Sequence, residues 1–174
     1  MIALGGNALI RPNEKGTYQE QINNVSKTCD SIANLLKEDY NLVIAHGNGP
    51  QVGNILLQNE AGEKKYKVEK MPLDYCVAQT QGSIGYLIDQ CLTNTLYRRG
   101  INRKIVTLLT QVLVRHDDEG FLNPTKPIGP YYKKEEAESY IKETGAKFKE
   151  DPKGNGYRKV VASPKPNKIE NIEL

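Results

Sequence analysis

Most of what this 174-residue chain lacks narrows what it can be. No apolar run approaches the length of a bilayer span and no signal-peptide pattern opens the chain, so a membrane role is not expected and a cytoplasmic location is. One charge sign barely outweighs the other: 24 Lys and Arg against 21 Asp and Glu leave a net +3. With no dense Lys/Arg block, nucleic acid is not an expected partner. Histidine is scarce, at 2 residues, and cysteine comes as an odd 3, which argues against a zinc site or a disulfide framework. Cys29, Cys76 and Cys91 are widely spaced within helical patterns and read as reduced, buried thiols. Solenoid-type repeats and low-complexity tracts are missing too. A soluble globular chain remains, with ordinary hydrophobic (38%) and charged (26%) content.

The elements that are there alternate. Met1–Leu4 is an apolar strand shorter than usual, so an earlier natural start is expected. Residues 21–37 carry Ile22, Val25, Cys29, Ile32, Ala33, Leu35 and Leu36 at helical spacing. A second strand spans 41–45, a helix 50–59, and a charged loop 60–70. The long helical region 72–99 bears the stripe Ile84, Leu87, Ile88, Cys91, Leu92 and Thr95, and Gly82 and Gly85 leave room for another backbone. A β-branched strand is expected over 104–114. This β-α-β-α-α-β order predicts a mostly parallel α/β sheet. Residues 115–162 differ: a rigid proline-dense loop over 123–130, a short helix over 132–144, and a hairpin around Gly154-Asn155-Gly156. They are expected to form a small subdomain carrying Lys126, between a lobe of residues 1–114 and a return over 163–174. A helix is expected to begin at Lys168.

Chemistry concentrates at two strand ends. Leu42-Val43-Ile44-Ala45-His46 runs into Gly47-Asn48-Gly49-Pro50-Gln51-Val52-Gly53, and Ile2-Ala3-Leu4 runs into Gly5-Gly6-Asn7. Glycines without Cβ atoms bare their backbone N–H groups, and a helix starting behind them adds the positive end of its dipole. The run is not a dinucleotide fingerprint, since the third glycine falls at 53 rather than 52, and no Gly-Lys-Ser/Thr makes a Walker A loop. A tight turn with no ligand is the plain alternative. Repetition of the turn at two predicted parallel strand ends favours an anion site. Lys126, held between Pro124 and Pro127, is a pre-placed ammonium suited to phosphoryl transfer, although a solvated surface lysine is the commoner fate of this residue type. His46 reads as a strand-end histidine bonded to backbone. His116-Asp117-Asp118-Glu119 reads as a solvated acidic turn, and no metal ligands are assigned.

Several segments together resemble carbamate kinase, of the amino acid kinase family: Ala3–Ala8, His46–Gly53, Met71–Asp74, Gln79–Tyr86, Asn123–Gly129, Phe148–Asp151, Arg158–Val161 and Ser163–Pro166. The Asn-Pro-Thr-Lys-Pro loop is the most specific of them. The resemblance implies a three-layer αβα sandwich with a small protruding α+β subdomain, and a cytoplasmic homodimer. It implies reversible transfer of a phosphoryl group between ATP and carbamate, with Mg2+, used in arginine fermentation to form ATP from ADP and carbamoyl phosphate. Gly5, Gly6 and Asn7 would face the transferring group. Gly47, Asn48 and Gly49 would give N–H groups to carbamate and phosphoryl oxygens, with Gln51 among the substrate-binding residues. Lys126 would be catalytic, neutralising developing charge. The family is nearly twice this long. A second catalytic lysine, an organising aspartate and most of the nucleotide site would lie outside this chain, so a truncated chain, inactive alone, is expected. Two alternatives stand beside this: another amino acid kinase acting on a carboxylate, or a non-catalytic anion-binding half-domain that dimerises.

Overall fold

The computed structural model describes residues 1–38 and 40–172, with side chains described through residue 167 apart from residue 39. The chain divides into two compact units, Met1–Gln51 with Asp74–Leu109, and Val52–Leu73 with Thr110–Leu174.

In the first unit, strand β1 (Ile2–Leu4) pairs in parallel with β2 (Ile44–His46), with Leu4 opposite His46. A 3-10 turn over Gly6–Ala8 follows β1. Helix α1 (Tyr18–Lys37) starts earlier than the apolar spacing predicts, because Thr17 and Glu20 form a capping box. Thr17 N donates to Glu20 Oε2 at 2.8 Å, and Glu20 N donates to Thr17 Oγ1 at 3.3 Å. This reciprocal pairing satisfies two backbone donors that an uncapped helix leaves open. The core lies between α1 and α3 (Leu73–Arg98). Val25, Cys29, Ile32, Ala33 and Leu36 meet Ile84, Leu87, Ile88, Cys91 and Leu92 as periodicity expects. Leu96 joins them and Thr95 is buried, whereas Ile22 is only partly buried and Leu35 is exposed. Gly85 is required by close packing, since a Cβ there would overlap Thr107 Cγ2; Gly82 faces open space. All three cysteines are buried thiols, and burial pushes Cys29 up to about 12.

Residues 104–109 are not strand. The expected 104–114 strand is confined to β3 (Thr110–Val114), and Val106, Leu108 and Leu109 are exposed. A β-branched sequence becomes a strand only where a neighbour completes its hydrogen bonds. None does so for 104–109 among the described residues. The mostly parallel sheet is likewise corrected: β1–β2 is the parallel pair, and the other described pairings are antiparallel.

In the second unit, β3 pairs antiparallel with β7 (Pro166–Ile172), which replaces the helix expected from Lys168. The remainder of that expectation, residues 173–174, lies outside the described residues. Asp118 caps the short helix α4 (Glu119–Leu122) through Gly120 N at 2.7 Å, and Asp117 pairs with Arg115 at 2.8 Å. The acidic turn thus has structural partners of its own. A three-stranded sheet has the order β4–β6–β5, from Lys126–Tyr132, Tyr157–Val161 and Lys147–Glu150. The expected proline loop over 123–130 is therefore partly strand. Pro127 and Pro130 are tolerated because β4 is an edge strand, with a register irregularity between Ile128 and Tyr132. Tyr132, Tyr140 of α5 (Lys134–Thr144) and Phe148 pack edge-on, with ring centroids 5.3 to 5.8 Å apart.

Helix α2 (Gln51–Tyr66) extends through most of the expected 60–70 loop. Its charged half is held by tertiary partners. Lys159 Nζ lies 2.7 Å from Glu60 Oε1, the Tyr140 hydroxyl donates to Glu60 Oε2, and Lys64 pairs with Glu143 at 2.7 Å. Burial pushes the Glu60 carboxyl up, but the hydrogen bonds from Lys159 and Tyr140 outweigh it, so Glu60 titrates below its ordinary value. Its contribution to stability is therefore complete above the ordinary carboxylate pKa and is lost as pH falls through the lowered one. Glu60→Gln is expected to cost about 1–3 kcal/mol near neutral pH in urea unfolding, and to flatten the acid limb of the stability profile.

Candidate functional site

The register of β1 and β2 builds the site. Leu4 lies opposite His46, so the next residues on each strand, Gly5 and Gly47, leave the same sheet edge side by side. Paired strands lie about 4.8 Å apart, which brings Gly5-Gly6-Asn7 and Gly47-Asn48-Gly49 together as the sequence expects.

Nothing among the described residues demands glycine at three of these positions. A Cβ on Gly5, Gly6 or Gly47 would meet no atom within 4 Å, and none of the three has a positive φ. The room that a Cβ would fill is open, and small residues keep the backbone bare there. After β1 the chain enters the 3-10 turn, with Ala8 N donating to Gly5 O at 2.9 Å and Leu9 N to Gly6 O at 3.0 Å. The first N–H groups of such a turn have no acceptor within it.

Gly49 is different. Its φ is +56, a left-handed conformation, and a Cβ there would overlap Gln51 Oε1. Asn48 lies beside Thr80, whose buried hydroxyl donates to Val77 O at 2.6 Å and stands 3.2 Å from the Asn48 side-chain amide. His46 is half-buried, with Nδ1 3.1 Å from Gly47 O, the backbone-bonded role expected of it.

Gln51 begins α2 and is 9% exposed. Its Nε2 donates to Gln21 Oε1 at 3.0 Å, and Gln21 Nε2 donates to Gly16 O at 2.8 Å. Its own Oε1 is buried and meets no donor among the described residues. The link to Gln21 was not legible from sequence, because 30 residues separate the two amides.

Gly53 needs no ligand to explain it. A Cβ there would lie 2.8 Å from Gly129 N and 2.9 Å from Gly129 Cα, so this glycine lets α2 and β4 meet backbone to backbone. Lys126 is the exposed first residue of β4, opposite Val161. It belongs to the second unit, whereas both glycine turns belong to the first. Among the described residues no cluster of His, Cys, Asp and Glu could hold a metal ion.

The fold is an α/β fold of the amino-acid-kinase type, and it superposes on solved carbamate kinases. One from Giardia lamblia bound to citric acid matches 97% of this chain and 53% of its own, with a TM-score of 0.86 and 42% identity. Another from the same organism, bound to AMP-PNP, matches with a TM-score of 0.81 and 41% identity over 97% of this chain and 52% of its own. The carbamate kinase of Pyrococcus furiosus is 48% identical over 166 residues, 95% of this chain and 52% of the relative. Carbamate kinase 1 of Enterococcus faecium is 47% identical over 173 residues, 99% of this chain and 54% of the relative. No family profile matches the chain. Over almost its whole length the chain is similar to carbamate kinases, and it spans about half the length of the curated relatives that it matches.

Proposed function

We propose that this chain forms the carbamate-side half of a carbamate kinase. In the complete enzyme it takes part in reversible transfer of a phosphoryl group between ATP and carbamate, and in arginine fermentation the flux forms ATP from ADP and carbamoyl phosphate. The observation that carries this reading is the pair of adjoining glycine turns, with room for an anion at Gly5, Gly6 and Gly47 that no atom of the described residues fills. Backbone N–H groups of Gly5, Gly6, Asn7, Gly47, Asn48 and Gly49 receive the phosphoryl and carbamate oxygens, and Gln51 contributes from the start of α2. Preorganised donors of this kind stabilise charge as it develops without reorganising during the reaction. Lys126, carried by a subdomain of residues 115–162 between a lobe of 1–114 and a return over 163–174, neutralises charge on the transferring group.

Mg2+ enters with ATP or ADP, whose binding site falls mostly in the part of the relatives that this chain does not span. The chemistry of the donor set fits that division. The turns offer N–H donors to an anion rather than ligands to a metal ion. We place the assembled protein in the cytoplasm as a homodimer; no helix among the described residues is long and apolar enough to cross a membrane.

A coupled assay tests this. With ADP, Mg2+ and carbamoyl phosphate, the 174-residue chain alone is expected to form negligible ATP. The same chain fused to the nucleotide half of the Pyrococcus furiosus relative is expected to form it. A folded fusion without activity contradicts the reading, as does ATP formation by the chain alone.

A further inference from the structure

The orientation of Gln51 is fixed by a chain of three groups. Gly16 O is a backbone carbonyl and can only accept, so the Gln21 carboxamide must turn its N–H2 group toward it. That leaves Gln21 Oε1 facing Gln51, and Gln51 must answer with its own N–H2 group. Its carbonyl oxygen is thereby forced the other way, against Gly49, where a Cβ would overlap it. The result is a hydrogen-bond acceptor beside the glycine turn, on a side chain 9% exposed, with no donor among the described residues. Amide orientation is normally an assignment; here an obligatory acceptor dictates it.

A buried carbonyl oxygen without a donor is unfavourable and is expected to serve a purpose. The backbone N–H groups of the two turns suit oxyanions. The Gln51 oxygen does not, because an acceptor repels them. It suits a ligand that carries an N–H group beside its oxyanion. We propose that Gln51 Oε1 accepts a hydrogen bond from the amino group of carbamate and carbamoyl phosphate, and so selects carbamoyl over acyl substrates. This rests on the glycine turns being the substrate site. Acetyl phosphate is the matching control, since a methyl group replaces the amino group at nearly the same size and charge. A site built around a specific hydrogen bond rejects the analogue that cannot make it. Gly49 contributes by lacking a Cβ, which would overlap the acceptor. Gln21 acts as a positioning residue that keeps the amide from turning its N–H2 group into the site.

The test is calorimetric titration of the 174-residue chain with carbamoyl phosphate, acetyl phosphate and inorganic phosphate. The wild-type chain is expected to bind carbamoyl phosphate about tenfold more tightly than acetyl phosphate. In Gln51→Met, which keeps length but removes the acceptor, that ratio is expected to fall toward one. In Gln21→Leu, which frees the amide to turn, the ratio is expected to shrink while thermal melting confirms a folded chain. Equal affinities for the two acyl phosphates in the wild-type chain overturn the assignment and leave the anion site intact. A ratio preserved in Gln51→Met also overturns it. Failure of all three ligands to bind overturns the anion site itself and the assignment with it. The wild-type ratio does not depend on whether either variant folds.

Discussion

Lys126→Ala, in an enzyme completed with its nucleotide half, is expected to lower turnover by about 10²–10³. The melting temperature is expected to stay within a degree or two. The two effects separate because Lys126 is exposed, and exposed side chains contribute little to folding. Its backbone is another matter: Lys126 starts β4, and the pairing with Val161 persists whatever the side chain is. Phosphoryl transfer asks a protein mainly for positioning and for charge against the equatorial oxygens. A single preorganised ammonium therefore carries a large share of the rate and almost none of the stability. Lys126→Arg keeps the charge on a differently shaped head and is expected to recover only part of the turnover. Steady-state assays of the three proteins decide the matter, and near-wild-type turnover in Lys126→Ala removes this lysine from the chemistry.

The second large effect falls on the glycine turn, where two glycines that look alike in sequence are expected to respond differently. Gly49→Val places a β-branched residue at a φ of +56 and drives its Cβ into Gln51 Oε1. Left-handed backbone alone costs a non-glycine residue about 1–2 kcal/mol, and displacing a buried amide adds to that. Lower stability and lost carbamoyl phosphate binding are expected together. Gly47→Ala isolates the site, because Gly47 has neither a positive φ nor an atom within 4 Å of a Cβ. Urea unfolding of Gly47→Ala is expected to match wild type, while its affinity for carbamoyl phosphate drops at least tenfold. Wild-type affinity in Gly47→Ala means that the open room beside the strand ends is not where the anion sits.

What the sequence made legible follows the range of the interaction involved. The α1 and α3 stripes were readable because a helix repeats every 3.6 residues, and most of those residues form the core, Leu35 being exposed instead. The two strand ends were readable because Gly-Gly-Asn and Gly-Asn-Gly each punctuate an apolar run. The start of α1 could have been read better, since Thr17 and Glu20 stand at capping-box spacing ahead of the apolar pattern. Other features depend on partners far along the chain. Pairing with β3 turns residues 166–172 into a strand, where local pattern suggested a helix from Lys168. Glu60 is held by Lys159 and Tyr140, which sequence cannot put beside it. Prolines at 127 and 130 argued for a loop, because nothing local reveals that β4 is an edge strand. At the site, Gly53 looked like part of the anion turn and proved to be a packing contact with Gly129. The Gln21–Gln51 pair was invisible until the fold joined it.

Amide chemical-shift mapping by nuclear magnetic resonance, with carbamoyl phosphate added to the 174-residue chain, tests the central claim most directly. The account predicts that the largest shifts fall on Gly5, Gly6, Asn7, Gly47, Asn48 and Gly49, with the side-chain amide of Gln51 moving alongside them. Shifts centred elsewhere on the chain, or none at ligand concentrations that saturate carbamate kinases, contradict it.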